Sequence, residues 1–125
     1  MKRVLHVVTA MAFGVLISGA AAWADMGAAA VPLKAAVGSK GETHNTEGIE
    51  HFKQGHWDKA KTHFMEAAKA DPQSAEAHYN LALALDKAGD HKAATEHFKK
   101  AQELGQGNPE IQDSPILKAH LKMMK

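Results

Sequence analysis

Two hydrophobic patterns divide the chain. Val4 to Ile17 is a mostly apolar run, interrupted by His6 and Thr9 and preceded by Lys2 and Arg3. Ser18, Gly19 and an alanine run ending Ala22-Trp23-Ala24 follow it. A basic start, a short apolar core and small residues two apart are the marks of a secretory signal peptide over residues 1–24, with cleavage after Ala24. The mature chain then begins at Asp25 outside the cytoplasmic membrane, most simply in a bacterial periplasm. The other outcome for this segment is retention as an anchor, since Val7 to Ala22 is of marginal spanning length. Residues 25–40 are rich in Ala and Gly and contain Pro32, which predicts a flexible linker.

Beyond residue 40 the apolar positions follow a helical pattern broken at regular points. Gly55 and Gly89 each end one helical pattern just before the next begins, and Asp90 is placed to cap the second. Asp71-Pro72 separates two units, and Ser74 with Glu76 opens another helix. These signals predict helices over 43–54, 57–70, 74–88 and 91–104. Ser114-Pro115, an N-cap followed by proline at the first helical position, predicts a fifth helix running to about Met124. Shifted by 34 residues, the chain matches itself at Glu42/Glu76, His44/His78, Lys53/Lys87, Gly55/Gly89, Ala60/Ala94, His63/His97, Phe64/Phe98 and Ala67/Ala101. A repeat of that length belongs to helix-turn-helix units that stack.

These residues resemble the tetratricopeptide repeat (TPR) family. In the first unit Gly48, Ala60, Phe64, Ala67 and Pro72 stand on the family's small, aromatic and proline positions, with Trp57 on an aromatic packing position. In the second, Leu81, Ala82, Ala94, Phe98 and Ala101 do so. The resemblance implies an all-α fold: two repeats over residues 41–108, and a capping helix within 109–125 that shields the last repeat through Ile116, Leu117 and Leu121. Two departures stand out. The closing proline, Pro109, comes three residues late, and the first helix carries His44, Glu47 and His51 where the family packs large apolar groups.

Charge and composition narrow the function. Fifteen basic residues against 14 acidic give a net charge of +1. Without Lys2 and Arg3 that becomes thirteen against fourteen, one negative charge. A near-neutral chain has no electrostatic footprint for nucleic acid or for an anionic membrane surface. With no cysteine there is no disulfide, thiolate metal site or cysteine nucleophile. No Gly-rich phosphate loop or nucleophile elbow occurs, so the chain reads as a non-enzyme with no cofactor. Nine histidines in 125 residues raise the question of metal. His44, Glu47 and His51 share one helix face, three and four residues apart, although His44 and His51 lie about 10 Å from each other. His63 and His97 are repeat equivalents on helices about 10 Å apart, too far for one ion. Solvated or packing histidines are therefore expected.

The resemblance also implies a concave groove lined by the first helix of each repeat. Helical spacing places Asn45, Ile49, Phe52 and Lys53 on one such face, and Tyr79, Leu83, Asp86 and Lys87 on the other. That mixed surface suits a peptide or helix of a protein partner. Asn80 falls on a position used by family members that clamp a terminal carboxylate, but Ile49 stands where a second asparagine belongs. The reading is an exported TPR adaptor or scaffold for another protein or peptide, a monomer or weak dimer that touches membrane only through an uncleaved leader. Its rivals are a His-rich periplasmic metal-binding or metal-delivery protein and a self-associating assembly scaffold.

Overall fold

The computed structural model describes residues 30–124. The segment read as a signal peptide, and residues 25–29 of the expected linker, lie outside the described residues.

Among the described residues six helices follow one another and there is no strand. They are α1 (Glu42–Lys53), α2 (Trp57–Ala70), α3 (Ala75–Lys87), α4 (His91–Leu104), α5 (Pro109–Gln112) and α6 (Pro115–Met123). The expected helices agree with α1–α4 and α6 to within about two residues. Four begin where a side chain takes a free helix N–H, α5 among them, where Asn108 accepts from Glu110. Ser74 accepts from the Ala77 N–H, Asp90 from Ala93 and Ser114 from Leu117. Each such cap contributes about 1 kcal/mol. The hairpin turns depend on Gly55 (φ +76°) and Gly89 (φ +91°), the same position of the two repeats. That left-handed conformation closes the turn, and a side chain would strain it.

α1 pairs with α2 and α3 with α4, while α2 packs on α3 and α6 on α4. Small residues allow this stacking: Ala60, Ala67, Ala82, Ala84, Ala94 and Ala101 have no exposed surface, nor do Phe64 and Phe98. Each phenylalanine fills the space that the alanines leave, and burying one contributes roughly 1.5–3 kcal/mol. Phe98 also meets Tyr79 in a T-shaped arrangement, with ring centres 5.7 Å apart. Gly48 permits the closest approach in the first hairpin, since a Cβ there would lie 2.6 Å from the Phe64 ring.

Two features differ from the sequence reading. Pro109 opens the one-turn helix α5, which drives Ile111 wholly into the core. Gln112 then donates from Nε2 to the carbonyls of Gln102 (2.9 Å) and Gly105 (2.8 Å), so the late proline folds back on the end of α4. The second difference concerns the expected flexible linker. Its described part, residues 30–40, is docked on the repeats: Ala30 and Pro32 are buried and Leu33 packs on the core. Composition suggested free chain because it does not show partners distant in sequence, and those partners form the candidate site.

Candidate peptide groove

Asn45 on α1 and Asn80 on α3 are both buried, at 1% and 0% exposure. A buried amide without partners costs about 1–3 kcal/mol for each polar group, so what these side chains meet is informative. Both meet Leu33. Asn80 Oδ1 accepts the Leu33 N–H at 2.7 Å, and Asn80 Nδ2 donates to the Leu33 carbonyl at 2.7 Å. Asn45 Nδ2 donates to the same carbonyl at 2.9 Å, and Asn45 Oδ1 accepts from Asn80 Nδ2 at 2.8 Å. One main-chain N–H and C=O of a non-helical segment are thus held between the first helices of the two repeats. Pro32 disfavours helical backbone at Val31, which keeps the segment out of helix and its amides available. Beside it lies a cleft of about 290 Å³ between Val31, Leu33, Tyr79 and the Pro109–Pro115 turn.

The other residues expected to line the groove have the following places. Ile49, Phe52, Tyr79 and Leu83 are buried. Phe52 and Trp57 meet in a T-shaped arrangement, with centres 4.9 Å apart. The Tyr79 hydroxyl lies 2.8 Å from Ser114 Oγ, and burial pushes its pKa above the usual tyrosine value. Lys53 is exposed and pairs with Glu50 at 3.4 Å. Lys87 places Nζ over the Trp57 ring, 5.7 Å from its centre. Asp86 accepts from His91 Nδ1 at 2.7 Å and from His120 Nε2 at 2.9 Å, joining α3 to α6. Sequence reasoning did not assemble that trio, because His120 lies 34 residues from Asp86 on a helix packed from elsewhere in the chain.

The metal candidates are redistributed in the same way. His51 does not join His44 and Glu47. Its ring stacks on His63, with centres 5.1 Å apart. Its pKa is lowered by desolvation first, and then by the nearby His63, Lys59 and His56. His63, from α2, instead places Nδ1 3.0 Å from Glu47 Oε2, and His44 Nδ1 lies 3.7 Å from the same oxygen. His78 and His97, equivalent to His44 and His63 one repeat on, stack with Nδ1 atoms 3.2 Å apart.

Paired hairpins, repeat-equivalent alanines and phenylalanines and a terminal shielding helix agree with one result of comparison with known proteins. The family model for the tetratricopeptide repeat matches residues 45–109, just over half of the chain. The chain belongs to the tetratricopeptide repeat family. No curated protein matches it. TPRs generally mediate protein–protein interaction, and the family is a non-catalytic scaffold. Among the described residues, no helix of this TPR protein is long and apolar enough to cross a membrane. Its helices α1 and α3 carry the asparagine pair, whose side chains bind the main chain of Leu33.

Proposed function

We propose that this TPR protein is an exported adaptor whose groove takes a linear segment of a partner protein by one main-chain amide, through Asn80 and Asn45. The observation that carries this reading is the way Leu33 is held: its N–H and C=O are both engaged by the Asn80 amide, with Asn45 on the carbonyl. Main-chain recognition of this kind gives affinity, and adjoining pockets give specificity. In this reading residues 30–35 occupy the groove as an internal ligand, and a partner segment of similar chemistry, apolar with a proline, exchanges with it. Intramolecular tethering gives the internal segment a high effective concentration, so only a partner with added contacts in the neighbouring cleft displaces it.

A labelled peptide spanning residues 30–35 tests the reading. It should bind a variant in which Val31, Pro32 and Leu33 are replaced by Gly and Ser, bind the intact protein much more weakly, and fail once Asn80→Ala is added to the replaced variant. Equal binding to all three proteins, or none to the replaced variant, would refute the groove as a peptide site. Export is tested separately, by the intact mass of protein recovered from the periplasm of a bacterial host. That mass should begin at Asp25, and a membrane-bound form retaining Met1 to Ala24 would make the repeats a tethered module.

A further inference from the structure

On a different face of α1 from the asparagine, three potential ligand atoms converge. His44 Nδ1, Glu47 Oε2 and His63 Nδ1 all lie within 4.8 Å of one another. Glu47 Oε2 is 3.0 Å from His63 Nδ1 and 3.7 Å from His44 Nδ1. A tetrahedral zinc ion, with bonds of about 2.0–2.2 Å, sets its ligand atoms about 3.3–3.6 Å apart. The two contacts bracket that spacing.

The trio formed by Asp86, His91 and His120 provides an internal comparison. It has the same composition, but its contacts of 2.7 and 2.9 Å are hydrogen bonds. His120 Nδ1 is in turn 2.8 Å from Thr95 Oγ1, so both ring nitrogens of the buried imidazole are used. Protons account for that cluster completely. At the α1/α2 cluster they do not. His44 Nδ1 is shut off from solvent and has no hydrogen-bond partner. A ring nitrogen in that state carries the full penalty of an unmet polar group, and it borders a carboxylate and a second imidazole. A cation between the three atoms removes the penalty.

We propose that His44, Glu47 and His63 form a binding site for a divalent transition-metal ion of borderline softness, with Zn²⁺ as its representative. Two imidazoles and one carboxylate are the donor set such ions favour. Glu47 is half-exposed, which leaves a remaining coordination position open to water. The stacked His51 ring holds His63 in place without being a ligand. The ion would cross-link α1 to α2, the two helices of the first described hairpin.

Calorimetric titration of the purified protein with ZnCl₂, together with thermal melts in the presence and absence of the ion, tests the proposal. One ion per chain should bind with a dissociation constant on the order of micromolar, and the melting temperature should rise with zinc because the ion binds only the folded state. Removing even a group behind a ligand costs about 10–100-fold in affinity, so His63→Gln and Glu47→Gln should each weaken binding at least about ten-fold. Glu47→Gln keeps the side chain's shape at an exposed position, so its circular dichroism should match that of the parent. His91→Gln, outside the cluster, should retain binding. Absence of binding by the intact protein, undiminished affinity in Glu47→Gln, or loss of binding in His91→Gln would each overturn the assignment.

Discussion

Asn80→Ala is the sharpest test of how the N-terminal segment is held. The substitution removes three hydrogen bonds of 2.7, 2.7 and 2.8 Å. The Leu33 carbonyl keeps Asn45 Nδ2 as a partner, so two groups are orphaned, the Leu33 N–H and Asn45 Oδ1. If the segment stays docked, each orphan costs about 1–3 kcal/mol, and the space vacated by the amide adds to that. If the segment lets go, water satisfies both groups, but the buried contacts of Ala30, Pro32 and Leu33 are lost and the face of α1 and α3 beneath them is uncovered. The cheaper route decides, which puts the loss at about 2–4 kcal/mol, a large share of the roughly 5–15 kcal/mol that holds a domain together. With a urea slope of about 1–3 kcal/mol per molar for a small protein, the midpoint should fall by about 1–2 M. Amide exchange at Leu33 separates the routes, since release of the segment removes its protection while the amides of α3 and α4 keep theirs. A midpoint within about 0.3 M of the parent, with Leu33 still protected, would refute the reasoning and show that the asparagine pair holds nothing of consequence.

Two further perturbations follow from the packing. His78 and His97 both have pKa values below the ordinary 6.5, chiefly through burial, with Lys100 adding to the shift in each and His78 also lowering His97. The folded state therefore resists protonation that the unfolded chain accepts, so stability is complete above about pH 6.5 and falls as the pH drops below it. Urea midpoints at pH 7.5 and 5.5 should show this decline, and His97→Gln should reduce it; an equal decline in that variant would place its origin elsewhere. Gly48→Ala would set a Cβ 2.6 Å from the Phe64 ring. Overpacking of this kind costs about 1–3 kcal/mol, more than the roughly 1 kcal/mol that alanine adds to a helix over glycine, so thermal melts should show net destabilisation.

The helices and their stacking were legible along the chain because their determinants are local or strictly periodic. Ser74, Asp90 and Ser114 cap helices through N–H groups three residues away. Gly55 and Gly89 mark turns because only their backbone adopts the required φ without strain. Phe64 and Phe98, or Ala67 and Ala101, repeat at 34 residues because each repeat must present the same surface to the next. The sites depend on something else, the meeting of groups far apart in sequence. Leu33 reaches Asn80 across 47 residues, and no local pattern distinguishes that docked segment from a free Ala- and Gly-rich tether. Helical spacing correctly put His44 and Glu47 on one face of α1, but it proposed His51 as the third member because it sees only its own helix. The antiparallel return of α2 brings in His63 instead and leaves His51 stacked behind it. Asp86 likewise has the spacing of a groove residue, yet the docking of α6 turns its carboxylate to His91 and His120. Propensity, capping and periodicity act within a few residues and determined the elements; which polar groups come within 3 Å of each other was decided by how those elements pack.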